Sequence, residues 1–396
     1  MSVAHLKKPY KPKHELADVL NLHLADYIAH FGLTHQQSKV LNAIRRCRTA
    51  EIGSHREIRC DNDACDYHQI AYNSCRNRHC PKCQGLHTRR WISDRQDDLL
   101  PIEYFHWVFT LPHILNSLVN QGNEKVIYNL LYRVINETLQ SFSNKKWQSE
   151  IGIIMVLHTW GQKLNQHIHM HCIVTGGALR LDKTKFIRCP HNYLFPVKAV
   201  QKVYAAKFMS YLTKAYDNNE LQLSDKLPSK SDYFLNLMRT LKGLEWVVYA
   251  KKSFSSPDSV IKYLGRYTHK VAISNHRLID VTNESVTFQY KDYKDDSKSK
   301  QLCLAPLEFI RLFMLHILPF RFVRIRHYGL LACGHRFKKL NIARILLGII
   351  EPYVKKERLS DSEFILKEFG RDVLSCPKCK TGHLLSSLVF RQRMAT

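Results

Sequence analysis

The sequence predicts an α+β protein built round an antiparallel sheet, and three observations carry that expectation. Apolar residues recur at helical spacing in several stretches, Leu16, Val19, Leu20, Leu24, Tyr27 and Ile28 among them. Between those stretches stand short β-branched and aromatic runs, such as residues 104–111 and 151–160, ended by Pro or Gly. Residues 55–90 are rich in Cys, His, Asn and Arg with little apolar periodicity, the mark of a module too poor in apolar residues to fold on a core alone.

Taken in order, residues 15–48 read as helical and end in the basic run Arg45-Arg46-Cys47-Arg48. Residues 104–111 read as a buried strand stopped by Pro112, which lacks the N–H a strand interior needs. Helical periodicity follows to about Phe142. Residues 151–160 form a second strand, and a polar link leads to His167-Ile168-His169-Met170-His171, then Cys172-Ile173-Val174 and the turn signal Thr175-Gly176-Gly177. These two runs read as an antiparallel hairpin. Residues 197–215 and 233–242 read as helical, 245–250 as a strand, and Pro257-Asp258 as the start of a helix carrying Tyr263 and Tyr267. A hairpin over 277–292 and a solvated charged turn over 291–300 precede a basic, mainly helical C-terminal region. The expected division is a helical and metal-binding module (1–100), a central antiparallel-sheet domain with flanking helices (101–300), and the C-terminal region (301–396).

Sixty Lys and Arg against 34 Asp and Glu give a net charge of +26 and a pI near 9.6. With 45% apolar residues the chain fills real cores, so the excess is a surface property and points to a polyanion, most simply nucleic acid. No run of 18 apolar residues exists, so no membrane span or membrane partner is expected. The first 14 residues lack the apolar segment of an export signal, so the 12 cysteines are expected in a reducing cytosol, where clustered thiols serve metals rather than disulfides.

Cys60-x4-Cys65 and Cys80-x2-Cys83 are two hooks able to wrap one structural Zn²⁺ through four thiolates. Cys75 is the chief alternative ligand, with His68 and His79 also competing. Cys376-x2-Cys379 is half of a second knuckle, for which Cys333, His335 and His383 are candidate partners. Arg76 and Arg78 beside the first hooks are candidate DNA contacts.

On a strand, His167, His169 and His171 share one face at Cα spacings of roughly 6.6 Å, while Ile168, Met170 and Cys172 face the core. His169 and His171 are the candidate ligands of a divalent ion, Mg²⁺ or Mn²⁺, leaving positions open for phosphate oxygens. Gln162 is the candidate third ligand, with His167 and His158 as rivals. Tyr263 and Tyr267, at i and i+4, share a helix face among Lys262, Arg266 and Lys270. Cations there would bind phosphate and favour a phenolate nucleophile.

These motifs together resemble the two-tyrosine HUH (histidine–hydrophobic–histidine) rolling-circle transposases of insertion sequences. The resemblance rests on residues 74–83 (SCRNRHCPKC), Trp160-Gly161-Gln162, residues 167–177, and residues 263–275 (YLGRYTHKVAISN), which occur in the family's order over most of the chain. It implies an HUH endonuclease that cuts and rejoins single-stranded or hairpin DNA at element ends. His169 and His171 would hold the divalent ion. Tyr263 and Tyr267 would form 5′-phosphotyrosine intermediates. A cytoplasmic, nucleoid-associated protein of a prokaryote is expected. A non-catalytic zinc-dependent DNA-binding regulator is the alternative, but it leaves the histidine row and the tyrosine pair idle. A zinc hydrolase would need an acidic base near its ligands, as in His-Glu-x-x-His, which this chain lacks.

Overall fold

The computed structural model describes residues 11–251, 259, 260, 263, 265, 271–354 and 357–390. It is mixed α and β, and its strand pairs are antiparallel. The chain forms two compact units: Met1–Arg90 with Val271–Ile317 and Lys356–Thr396, and Trp91–Lys270 with Leu318–Lys355. We call them the cysteine unit and the sheet unit. Each unit joins segments that are distant along the chain, whereas the division expected at residues 100 and 300 is consecutive. Composition along a chain is blind to pairing between distant strands, and such pairing returns the C-terminal residues to the N-terminal module.

In the sheet unit six strands run in the order β11 (Ile325–Gly329), β4 (Ser149–Trp160), β5 (Gln166–Arg180), β3 (Tyr104–Thr110) and β7 (Val248–Lys251), with β6 (Phe186–Arg188) also on β5. Side chains alternate across a strand, so each strand lends one set of residues to each face. Phe105, Trp107 and Phe109 of β3, Met155 and Leu157 of β4, and Ile168, Met170 and Cys172 of β5 share a core with Leu131 and Ile135 of helix Glu124–Trp147 and with Tyr204 and Phe208 of helix Val197–Asp217. Each such fully buried side chain contributes about 1.5–3 kcal/mol before entropy is counted. The opposite face has a smaller core of Tyr104, Ile154, Val156 and Ile173 with Val260, Leu330 and Leu340. The strand that carries the histidine row is thus central, with its apolar alternates locked beneath it.

Two turns expected from the sequence are occupied differently. β5 continues through Thr175-Gly176-Gly177 to Arg180. A Cβ on Gly176 would lie 2.7 Å from the carbonyl oxygen of Glu103, so glycine here permits a close backbone approach within the sheet. Beyond the charged turn, β10 (Lys298–Leu304) pairs with β9 (Val286–Asp292), which pairs with β8 (Leu278–Val281).

The cysteine unit has a helical part and a strand part. Helices Leu16–Phe31 and Pro306–Met314 bury Val19, Leu20, Leu24, Phe309, Ile310 and Phe313, while Ile28, on the expected apolar stripe, is 46% exposed. Thr34 caps helix His35–Arg45 by accepting from the N–H of Gln37, whose side chain in turn accepts from Thr34 N–H. The other part is a small sheet, β12 (Leu384–Phe390)–β1 (Ser54–Cys60)–β2 (His68–Tyr72), whose side chains are mostly exposed or half-buried. Beside helices Pro306–Met314, Arg336–Leu346 and Asp361–Phe369, the C-terminal region supplies β11 to one unit and β12 to the other. No described helix is long and apolar enough to cross a membrane.

Candidate active site and metal centres

Register brings the histidines together. His169 of β5 stands opposite His158 of β4, and His171 opposite Val156, so all three imidazoles rise from one face of the central hairpin. Each offers a ring nitrogen, and these atoms lie within 4.8 Å of one another. His169 Nδ1 lies 2.8 Å from the carbonyl oxygen of His167. A carbonyl only accepts, so Nδ1 carries the proton and Nε2 keeps its lone pair for a ligand.

His171 is oriented from behind. Its Nδ1 is 2.9 Å from Nε2 of His106 on β3, and the two rings stack at 5.1 Å with 13° between their planes. Burial holds His106 down to about 4, with Lys251 adding to the effect, so it is a neutral ring at physiological pH. As acceptor for a proton on His171 Nδ1 it would leave the His171 Nε2 lone pair, not a proton, on the metal side. Residue 106 lies in an aromatic strand run and carried no spacing signal.

The set contains His158, one of the two rivals considered for the third position. Gln162 lies in the turn between β4 and β5, half-buried. His167, the other rival, is not grouped with the three; its Nδ1 is 3.3 Å from Nε2 of His113, with which it stacks. The start of β5 is pinned by reciprocal amide bonds between Gln166 and Asn120 at 2.9 and 3.0 Å.

Tyr263 lies on the same side of the sheet. Its ring meets that of His106 edge-on at 5.1 Å, and the Lys251 ammonium is 5.4 Å from its centroid. Gly265, two residues on, lies against Ile92, where a Cβ would come within 2.2 Å of Cδ1. Tyr267, Lys262, Arg266 and Lys270 lie outside the described residues.

The cysteines are sorted differently from the single site expected. Cys80 and Cys83 join Cys75 and Cys47, whereas Cys60 and Cys65 join Cys376 and Cys379; each set of four sulfurs lies within 4.8 Å. Cys75, the alternative ligand, is thus in the first set, and the two hooks of the expected site belong to different sets. Cys333, His335 and His383 are in neither. The reason is topological: β1 and β2 separate the two hooks, and Cys60 ends β1 at the point where β12 begins. Cys47 lay unnoticed in a basic run, although its place upstream of Cys75-x4-Cys80-x2-Cys83 was the available signal.

Sulfur chemistry favours a cation in the first set. Contacts of 3.4 Å (Cys47–Cys83) and 3.6 Å (Cys75–Cys83) resemble the edges of about 3.8 Å that a tetrahedral Zn²⁺ with bonds of about 2.3 Å would impose. Interaction with Cys75 first, and with Cys80, brings Cys47 down to about 7, and Cys83 is lowered too, while Cys75 and Cys80 are raised, chiefly by Cys47. Four crowded sulfurs cannot all ionise without a positive charge between them, and a divalent ion supplies it. Arg76 and Arg78 are exposed on the loop between Cys75 and Cys80, with Arg76 at φ 53°.

An imidazole cluster on a central strand and a cysteine-rich module before it occur in a chain that is similar to known transposases. Residues 152–339 match the family Y2_Tnp, described as "Putative transposase", and residues 19–111 match Zn_Tnp_IS91, "Transposase zinc-binding domain". The chain is 40% identical over 384 residues (95% of both chains) to "Putative transposase y4qJ" of Sinorhizobium fredii. It is 27% identical over 316 residues (78% of this chain, 74% of the relative) to "Transposase for insertion sequence element IS801" of Pseudomonas savastanoi pv. phaseolicola. The chain belongs to this IS91/IS801 transposase family, whose members are DNA-cleaving enzymes with a zinc-binding domain.

Proposed function

We propose that the protein cleaves and rejoins single-stranded or hairpin DNA at the ends of its insertion sequence through a covalent 5′-phosphotyrosine. The observation that carries this reading is the convergence of His158, His169 and His171 on one face of the sheet, with the Tyr263 ring on the same face against His106. The three imidazoles would hold Mg²⁺ or Mn²⁺, and the ion would polarise the scissile phosphate. His106 is a positioning residue: it acts through His171, fixing the ring and its tautomer.

The Tyr263 phenol oxygen attacks phosphorus, the P–O3′ bond breaks, and the proton lost from the phenol is balanced by the one gained by the departing 3′-oxygen. Lys251 favours both the phosphate and the charge growing on the phenol. Attack by a 3′-OH on the phosphotyrosine reverses the step and rejoins a strand. A second tyrosine, Tyr267, would allow a second cut while the first end is still attached. Exposed Arg76 and Arg78, with Lys262, Arg266 and Lys270, supply phosphate contacts that should weaken steeply with salt.

The test is cleavage of a labelled single-stranded oligonucleotide from the element's end, with and without Mn²⁺. Wild type should cut only with metal, and His169→Ala or His158→Ala should bind the oligonucleotide yet leave it intact. Binding without cleavage by wild type in every metal would favour the DNA-binding regulator instead.

A further inference from the structure

The matched zinc-binding domain ends at residue 111, yet the second set of four thiols draws half its members from the far end of the chain. Cys60 ends β1, and Cys65 follows in a tight turn in which its N–H donates to the Asn62 carbonyl at 2.8 Å. Cys376 and Cys379 flank Pro377-Lys378 just before β12. β12 then pairs with β1 along its whole length, from Cys60 opposite Leu384 to Ser54 opposite Phe390.

Local geometry fits a knuckle of the kind that presents two sulfurs to one ion. Cys376 N–H donates to the Gly382 carbonyl at 2.8 Å, and Lys380 adopts φ 61° to turn the chain. Gly382 N–H points at Cys379 Sγ at 3.2 Å, as a donor to a thiolate would. A Cβ on Gly382 would lie 2.4 Å from Cys60 Sγ, so only glycine lets the two hooks meet. Sulfur separations of 3.6 Å (Cys60–Cys379) and 3.8 Å (Cys65–Cys376) are again close to the edges of about 3.8 Å of a tetrahedral zinc thiolate, and far from the ~2.0 Å of a disulfide.

Packing alone gives little reason for β12 to stay in place. Five of its seven residues are exposed, Leu385, Leu388 and Phe390 among them, and β1 and β2 bury no residue fully. A three-stranded sheet with two wet faces is marginal in water, whereas thiolate-bound zinc adds folding free energy directly. We propose that Cys60, Cys65, Cys376 and Cys379 bind a second structural Zn²⁺, distinct from that of Cys47, Cys75, Cys80 and Cys83, which clamps the C-terminal strand onto the N-terminal sheet. The tail is thereby part of the N-terminal module, and the inference does not depend on the nuclease reading.

The experiment is metal analysis of the full chain carrying His169→Ala and His171→Ala, so that the imidazoles hold no ion. Two zinc ions per chain are expected, with an X-ray absorption spectrum showing a shell of sulfur alone. Adding Cys376→Ser and Cys379→Ser should lower the content to one, and adding Cys75→Ser and Cys83→Ser instead should also leave one. A single zinc in the His-variant parent, iron in its place, or two zinc ions retained after Cys376→Ser and Cys379→Ser would overturn the proposal. The parent's stoichiometry and sulfur shell decide it even if the serine variants fail to fold.

Discussion

The imidazole cluster and the thiol clusters are held in opposite ways. His158, His169 and His171 stand on strands whose other face is buried against two long helices, so packing positions them before any ion arrives. Around Cys60 and Cys376 the sheet has almost no core, and besides the sulfurs the segments are joined by strand pairing and exposed polar contacts such as His383 N–H to the Asp61 carboxylate. The first arrangement suits catalysis, which needs a rigid site with open coordination positions. The second suits structure, where ligand and fold form together. Removing metal should therefore have different consequences in the two units.

The largest effect separates them. A strong zinc chelator, or Cys75→Ser with Cys83→Ser, should make the N-terminal module sensitive to protease while the sheet unit stays resistant; structural zinc contributes on the order of 10 kcal/mol in comparable small domains. Equal resistance of both units after chelation would break the contrast. By comparison, His169→Ala should abolish cleavage, by at least about a hundredfold, and shift the melting of the sheet unit little.

A subtler effect concerns His106. If it positions His171, His106→Phe should raise the Mn²⁺ concentration needed for half-maximal cleavage by roughly 10–100-fold, with activity recovering at saturating metal. A fall in maximal rate with an unchanged metal requirement would point to a purely structural role.

The smallest effect is a pH dependence in the sheet unit, away from the imidazole cluster. Burial first, then Arg95 and Arg336, pushes His327 down to about 3, and Arg95 Nη1 lies 3.4 Å from its Nε2. The unfolded ring titrates near 6.5, so below that pH the unfolded chain takes up a proton that the folded one refuses. Stability from this group is complete above about pH 6.5 and declines as pH falls toward 3. His327→Phe should flatten the loss of stability between pH 6.5 and 4 in denaturant titrations; an unchanged slope would assign that loss to other groups.

What was legible in the sequence follows the same division. The alternation His167-Ile168-His169-Met170-His171 fixed the faces of β5, because period-2 patterning is local and one face is buried. Helix Val197–Asp217 and strand β3 were equally local. The cysteine grouping was not, since it depends on β12 returning to β1 across the whole chain, and a half-exposed strand such as Leu384–Phe390 has no clean alternation to announce it. His106 became a functional candidate only through register with β5, and the same register puts His158, a rival for the third position, opposite His169.

The central claim is that a phenol beside the imidazole cluster becomes joined to DNA. The direct measurement is mass spectrometry of tryptic peptides from the Tyr267→Phe variant after reaction with a single-stranded element end and Mn²⁺. A nucleotide attached to Tyr263 is the expected result. Cleavage with no covalent nucleotide, or attachment at a residue away from that face of the sheet, would contradict it.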